Sequence, residues 1–234
     1  MALPQITRLQ YLDAMGICVW QSRFMPTAPV EKENLPAAVE NLPVAPEILP
    51  ADSWEKLREQ VSSCQLCTLC TTRTQTVFGE GNLNADWFFI GEAPGENEDL
   101  QGRPFVGEAG QLLTQMIRTM SLTREEVFIA NILKCRPPQN RDPHANEINH
   151  CRDYLHRQIA LVKPKIIIAV GRIAAQTLLE TNTTIGKLRG QVHHIENTPL
   201  IAIYHPSYLL RSLTEKRKAW QDLQFALQTF KSIP

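Results

Sequence analysis

Two short segments carry residue types that can do chemistry, and each lies at the end of a predicted strand. Residues 91–95 (Gly-Glu-Ala-Pro-Gly) follow the apolar run at 87–90, and residues 205–211 (His-Pro-Ser-Tyr-Leu-Leu-Arg) follow the run at 200–203. In open α/β sheets, ligands bind beyond the carboxyl ends of the strands. The first segment supplies the carboxylate of Glu92 and the second the imidazole of His205. The sequence therefore predicts one pocket with an acid and a histidine.

Four of the six cysteines form two pairs that favour metal binding. Cys64 and Cys67 make a C-x2-C pair, and Cys135 and Cys151 lie much later in the chain. A C-x2-C pair chelates one metal centre readily, and reduced thiols are expected in the cytosol. Without Cys135, Cys151 would be interpreted as a core cysteine on the apolar stripe that it shares with Ile148 and Leu155. Four thiolates suit a zinc ion or an iron–sulfur cluster, so the spacing leaves both open.

The pattern of apolar residues predicts an α/β fold. Four continuous apolar runs are typical of central parallel strands, at residues 87–90, 127–130, 166–170 and 200–204. Helical patterns alternate with them, at residues 112–120, 148–162, 173–179 and 215–230. A further helix is predicted to begin at Asp52 as N-cap and to end near residue 63. Because strands and helices alternate, we expect a three-layer αβα domain with a central, mainly parallel four-stranded sheet.

The N-terminal region differs from the rest of the chain. Residues 6–24 have an amphipathic helical pattern, and six prolines interrupt residues 26–50. We predict a tethered peptide over residues 1–25, a proline-rich linker over 26–50 and a catalytic domain over 51–234. No stretch is apolar enough for a membrane span and none reads as a signal peptide, so we expect a cytoplasmic protein, monomeric by default.

The charge balance limits how the chain could bind nucleic acid. Lysine plus arginine and aspartate plus glutamate both number 24, so the net charge is zero. No overall field would attract a polyanion, and DNA binding must use local patches. Three basic segments flank the predicted pocket, at residues 134–141, 187–189 and 211–218.

Together with Gly-Glu-Gly at 79–81, Gly-Arg-Pro-Phe-Val-Gly at 102–107 and Asn-Ile-Leu-Lys-Cys-Arg-Pro-Pro at 131–138, these motifs resemble those of the family 4 uracil-DNA glycosylases. This is the iron–sulfur branch of the uracil-DNA glycosylase superfamily, and the resemblance extends from about Cys64 to the last helix. It implies a 4Fe–4S cluster held by four ligands, Cys64, Cys67, Cys135 and Cys151. Cys70 is then a bystander, and Cys18 is unassigned.

The resemblance also assigns roles in the pocket. Phe105 is expected to stack on a uracil flipped out of the DNA, and Asn131 to pair with its N3–H and O4. Glu98 is expected to exclude thymine by steric contact near C5. The backbone at Ala93 and Gly95 is expected to approach the substrate closely.

Catalysis is expected from two side chains. His205, as a neutral imidazole, would donate a hydrogen bond to uracil O2 as the base leaves. Glu92 would stabilise the cationic sugar and orient or deprotonate water. We expect no strand cleavage, because no lysine of the motifs is assigned to form a Schiff base.

DNA contacts are expected on both sides of the pocket. Arg136 and Arg141 would meet phosphates from the loop that the cluster pins. The segment after His205 resembles the minor-groove loop of the family, in which an apolar side chain enters the vacated stack and an arginine meets the backbone. Its members are Tyr208, Leu209, Leu210 and Arg211.

Two alternatives stay open, and one partner is suggested. Some superfamily members trap uracil-containing DNA covalently through a histidine in the loop that here spans residues 135–143, but this stretch has none and His144 lies just beyond. A noncatalytic DNA-binding module is the other alternative. Residues 6–24 end in Gly16-Ile17-x-x-Trp20, which resembles the start of the psi subunit of the bacterial clamp loader, so a replication protein is a candidate partner.

Overall fold

The structure, a computed structural model, describes residues 53–233. The tethered peptide, the linker and the Asp52 N-cap predicted from the sequence lie outside these residues. The helices are α1 Trp54–Ser62, α2 Glu96–Gln101, α3 Glu108–Thr119, α4 Ala145–Val162, α5 Arg172–Leu178, α6 Ile185–Leu188, α7 Pro206–Arg211 and α8 Lys216–Lys231. The strands are β1 Glu80–Gly81, β2 Trp87–Gly91, β3 Phe128–Asn131, β4 Ile166–Val170, β5 His193–Ile195 and β6 Thr198–Ile203.

The strands form one sheet in the order β1-β3-β2-β4-β6-β5. The central four are parallel and are the four strands predicted from the sequence. The sheet is larger than predicted, because β1 and β5 add one short antiparallel strand at each edge. These edge strands have two and three residues, too few for a pattern of apolar residues to reveal them.

Helices cover both faces of the sheet, which confirms the three-layer αβα architecture. Successive residues of a strand point to opposite faces, and the buried residues accordingly form two large clusters. In β2, Phe88 and Ile90 join the cluster beneath α4 and α5, whereas Trp87 and Phe89 join the one beneath α3 and α8. Because both faces are buried, the central strands are apolar without alternation.

The first helix begins one residue later than predicted. Ser53 is its N-cap, and the Ser53 hydroxyl accepts a hydrogen bond from the Lys56 backbone N–H at 3.2 Å. Leu57 and Val61 are buried and pack with Phe78 and Tyr154 in a third, smaller cluster. This contact brings α1, and the Cys64 that follows it, against α4. Within residues 53–233, no helix is long and apolar enough to cross a membrane.

Candidate active site and cysteine cluster

The carboxyl ends of β2 and β3 bring an amide and an aromatic ring together. Gly91 and Asn131 are register partners, one at the end of each strand. A methyl group added at Gly91 would overlap Asn131 Oδ1 and would lie 2.5 Å from Phe105 Cζ. Only glycine leaves room for both side chains there. Asn131 Oδ1 is buried and is the one buried side-chain oxygen of residues 53–233 that accepts no hydrogen bond, so this acceptor is available to a ligand.

The loop that carries Phe105 is held from both sides. Phe105 has a positive φ of 53°, which is unfavourable for a side chain of its size, so neighbouring contacts must enforce it. The Arg124 guanidinium donates to the carbonyls of Pro104 and Phe105 at 2.8 and 3.1 Å. On the other side, Glu98 Oε1 accepts from the backbone N–H groups of Val106 and Gly107 at 2.8 and 2.9 Å.

Glu98 has a bracing position in this structure. Its second oxygen accepts from the Gly95 backbone N–H at 3.1 Å, so one carboxylate ties the loop after β2 to the Phe105 loop. All three bonds go to backbone groups. Because both carboxylate oxygens already accept backbone hydrogen bonds, any effect of Glu98 at C5 of the base would act through the two loops that it joins. Gly95 also spends its N–H on this contact, while Ala93 is partly buried against the core.

His205 is presented as a neutral hydrogen-bond donor. It is the N-cap of α7, and its Nδ1 accepts from the Ser207 backbone N–H at 3.2 Å, with the Ser207 hydroxyl 2.8 Å away. Since Nδ1 is the acceptor, the proton of the neutral ring is on Nε2. Burial and the nearby Arg211 lower the pKa of His205 to about 4, opposed by Glu98. Its ring centroid lies 5.8 Å from that of Phe105, and the Asn131 amide and the Phe105 ring are close together beside Gly91, so Phe105 lies near both polar side chains.

Glu92 follows Gly91 at the same edge of the sheet. Burial raises the pKa of its carboxyl to about 7; the charge of Asp142 adds to this increase and the charge of Arg172 opposes it. These two neighbours are paired to each other at 2.7 Å. A carboxyl group with a pKa near neutrality can act as a base at neutral pH. Phe105 thus lies close to both Asn131 and His205, and Glu92 directly follows Gly91 at the same edge of the sheet; a single pocket that includes all four residues stays a prediction.

The four predicted metal ligands line one cavity, together with Cys70. Cys135 and Cys151 are buried, and the others are partly buried. Arg73 donates to the Cys135 sulfur at 3.0 Å and to the Cys64 carbonyl at 2.8 Å. Burial raises the pKa of Cys67 and Cys135, and that of Cys151 to about 11. Among residues 53–233, no three Cys, His, Asp or Glu side chains converge as a single-ion site.

Several residues predicted to contact DNA are placed differently. Leu209 is buried in the core beneath α8, whereas Tyr208, Leu210 and Arg211 are exposed. Leu209 is therefore excluded as a DNA contact, because α7 turns it inward. Arg141 makes a bidentate ion pair with the buried carboxylate of Glu147, at 2.6 and 2.9 Å.

The other basic segments are also partly committed to protein contacts. Arg136 is hydrogen-bonded to Asn140 at 2.8 Å and lies 3.7 Å from Glu96. Arg189 is paired with the buried Asp222 at 2.6 Å. Lys134 is fully buried. Segments 134–141 and 187–189 therefore offer fewer cations to DNA than the sequence suggested.

Three side chains that were not predicted from the sequence support the site through hydrogen bonds. Arg73, Arg124 and Ser207 contact the cysteines, the Phe105 loop and His205, respectively. Ser207 could have been inferred, because a serine two residues after a histidine N-cap is placed to reach its ring. Arg73 and Arg124 gave no such signal, since their partners are 62 and 19 residues away in the chain.

Comparison with known families agrees with this architecture. The model of the Uracil DNA glycosylase superfamily matches residues 78–224, which include β2, β3, β4, β6 and α7. The chain therefore belongs to the uracil-DNA glycosylase superfamily.

Curated relatives place it more narrowly. The type-4 uracil-DNA glycosylase of Archaeoglobus fulgidus is 45% identical over 167 residues, covering 68% of this chain and 84% of that protein. The type-4 enzyme of Sulfurisphaera tokodaii is 48% identical over 168 residues, covering 68% and 76%. That of Thermotoga maritima is 41% identical over 176 residues, covering 74% and 92%. Within the superfamily, the chain is a member of the type-4 family.

Proposed function

We propose that this chain is a monofunctional uracil-DNA glycosylase, which hydrolyses the N-glycosidic bond of deoxyuridine in DNA and leaves an abasic site for base-excision repair. The observation that carries this proposal is the Asn131 amide, whose buried Oδ1 accepts no hydrogen bond and lies close to the Phe105 ring, which in turn neighbours His205. A buried acceptor without a donor is costly, and a ligand N–H would remove that cost.

The amide explains the choice of base. Uracil presents an N3–H donor and an O4 acceptor, which match an amide oxygen and an amide N–H. Cytosine presents an acceptor at N3 and a donor at its exocyclic amine, so both contacts would be mismatched. A site built on buried hydrogen bonds rejects such a mismatch strongly. Phe105 would stack on the ring, and Glu98 would exclude thymine by fixing the loops at Gly95 and Val106 close to C5.

His205 and Glu92 divide the charge that develops on cleavage. The departing uracil becomes an anion, and Nε2–H of the neutral His205 would stabilise its O2 without prior loss of a proton. The sugar becomes cationic, and the Glu92 carboxylate would stabilise it or accept a proton from water. Lys134 is the lysine of the motifs, and its buried ammonium is directed at Asn131 and Gln158. It therefore does not reach the sugar, which supports hydrolysis without strand cleavage.

Cys64, Cys67, Cys135 and Cys151 fit a 4Fe–4S cluster. They line one cavity, and the cations of Arg73 and Lys134 lie beside their sulfurs, where they would offset the charge of four thiolates. When bound, the cluster would cross-link the loop after α1 to the segments on either side of residues 136–150. The stretch 136–150 between them carries Arg136 and Arg141, so the role proposed for the cluster is structural.

DNA would be held by the exposed residues of α7, the short helix that takes the place of the expected loop after β6. Leu210 or Tyr208 would fill the stack vacated by uracil, and Arg211 would meet a phosphate. Arg136 and Arg141 would contribute from the cluster side only by exchanging their present partners. We further propose that the protein is cytoplasmic and monomeric, and that residues 6–24 recruit it to a replication protein. A pull-down with Trp20→Ala as control tests the last point: capture that does not depend on Trp20 would refute it.

The experiment that tests the activity uses the full-length protein without divalent metal. It is incubated with oligonucleotides that contain uracil or, at the same position, thymine or cytosine. We expect uracil-specific breaks only after alkali, which cleaves abasic sites, and no protein–DNA adduct on a denaturing gel. Intact uracil DNA would refute the proposed activity, and an adduct in place of free product would favour the covalent-trapping alternative. His205→Ala and Glu92→Ala are expected to fold and lose most of the rate.

A second experiment tests the cluster and its ligands. Cys135→Ser should abolish the visible absorbance and the iron content of the purified protein. Cys70→Ser is the matched control, because this cysteine lines the same cavity and is not assigned as a ligand. It should retain four irons per chain. Full iron content in Cys135→Ser would disprove the assignment.

A further inference from the structure

A buried lysine connects the cysteine cavity to the pocket. Lys134 is 1% exposed, and its ammonium group donates to the Asn131 carbonyl at 2.7 Å and to Gln158 Oε1 at 2.6 Å. Gln158 has no exposed surface, and its amide donates to the Phe78 carbonyl at 2.8 Å. In a dry interior of low dielectric constant, a hydrogen bond is stronger than in water. Both of these bonds are therefore expected to hold their partners firmly.

The backbone of the same residue contacts the cysteine side. Lys134 is followed directly by Cys135, and both residues line the cysteine cavity together with Cys151. The Lys134 carbonyl accepts a hydrogen bond from the Val77 backbone N–H at 2.8 Å. The backbone of Lys134 is thus joined to a proposed cluster ligand, Cys135. Its side chain contacts Asn131, the residue proposed to recognise uracil.

The segment between these two contacts is tied to the catalytic edge. The backbone N–H of Ile132 donates to the Gly91 carbonyl at 2.9 Å, and that of Leu133 donates to the Glu92 carbonyl at 3.1 Å. Residues 131–134 are therefore held in two ways. Backbone hydrogen bonds join Ile132 and Leu133 to the end of β2, and the Lys134 side chain donates back to the Asn131 carbonyl. The Asn131 side chain has no hydrogen bond through Oδ1 that could fix its own position. Its place in the pocket therefore depends on how its backbone is held.

We propose that Lys134, supported by Gln158, is a positioning residue that sets the place of the Asn131 amide and couples it to the cysteine cluster. The inference rests on the proposed function, because it assumes that Asn131 reads uracil. A polar residue buried at this position has an unfavourable desolvation cost, which a purely apolar core would avoid. The bond to the Asn131 carbonyl gives the buried amine a role that no apolar side chain could fill.

The test is a double-mutant cycle measured on uracil-containing DNA. Lys134→Met keeps the length of the side chain and removes the ammonium. We expect kcat to fall roughly tenfold to a hundredfold, since small misplacements of a binding group have effects of this size. We expect the iron content and visible absorbance to stay unchanged, because the substitution leaves the backbone and the four cysteines in place. In an Asn131→Ala background, Lys134→Met should cause no further loss. Lys165→Met is the matched control, because Lys165 is exposed and pairs with Asp86, which precedes the amino end of β2, away from the pocket.

The outcomes distinguish the inference from the proposed function. If the wild-type protein does not excise uracil, the proposed function fails. If it does, and Lys134→Met lowers the rate equally with and without the Asn131 amide, the positioning role is refuted. Gln158→Met removes one acceptor and is a milder change, so it serves if Lys134→Met does not fold. The same non-additivity with Asn131→Ala is expected of it. Failure of both variants to fold with a cluster would make Lys134 a general core residue and overturn the inference.

Discussion

The pKa of Glu92 leads to a quantitative prediction for the pH dependence of uracil excision. Burial and the charge of Asp142 raise this pKa to about 7, and Arg172 opposes them. If the carboxylate is the active form, the rate must rise with pH through this value. With one titrating group, about 1% of the enzyme is active at pH 5 and about 90% at pH 8, so kcat/KM should increase roughly 90-fold between them.

His205 should not contribute to this rise of kcat/KM with pH, the acidic limb of the pH profile. Its pKa is lowered to about 4, so the ring stays neutral and keeps its Nε2–H across the whole range from pH 5 to 8. A plot of log(kcat/KM) against pH should therefore have a slope of one in the acidic limb. Two titrating groups would give a slope approaching two below both pKa values.

The surroundings of Glu92 provide matched perturbations of opposite sign. Asp142→Asn removes the charge that raises the pKa, so the limb should move to lower pH. Arg172→Gln removes the opposing charge and should move it to higher pH. Asp142 and Arg172 are both largely exposed, with side-chain exposures of 67% and 50%, so water screens their effects. Each shift should be about half a pH unit.

The assay is excision kinetics with uracil-containing single strands at low substrate concentration, because kcat/KM reports the free enzyme. Single strands avoid any pH effect on duplex opening. Glu92→Gln cannot titrate at this position and should give a slow rate that does not change with pH. The reasoning is refuted if the wild-type rate is flat from pH 5 to 8, or if Glu92→Gln retains the limb.

Two further predictions concern packing. Gly91→Ala should fold normally but lose kcat/KM roughly a hundredfold, because the new methyl group would overlap Asn131 Oδ1 and crowd Phe105; steady-state kinetics beside a thermal melt checks this. Leu209→Ala should lower the free energy of unfolding by about 2–5 kcal/mol in urea titrations, since Leu209 is in the core, whereas Leu210→Ala should change it by less than about 0.5 kcal/mol. Leu210→Ala should instead slow excision from duplex DNA roughly tenfold, with little effect on single strands. Equal losses on both substrates would contradict the proposal that Leu210 fills the stack vacated by uracil.

The order of residue types along the chain is enough to predict the main architecture. Continuous apolar runs can only be buried on two faces, so the four parallel strands could be predicted. The carboxyl ends of those strands meet at one edge of the sheet, which is why Glu92, Asn131 and His205 could be predicted to lie there, whereas their roles in one pocket are implied by the family motifs. The cysteines were grouped by their C-x2-C spacing and by their number, which a single metal centre would satisfy.

The packing of the folded chain decides which side chains are free to act. Leu209 and Leu210 are adjacent and equally apolar, and only the packing of α7 turns the first inward. Arg141 looked available until its partner Glu147, buried in the first turn of α4, was placed beside it. The role of Lys134 depends on Gln158, which lies 24 residues away in the chain. Contacts of this kind arise from burial and from the docking of distant elements, and local sequence patterns carry no information about them.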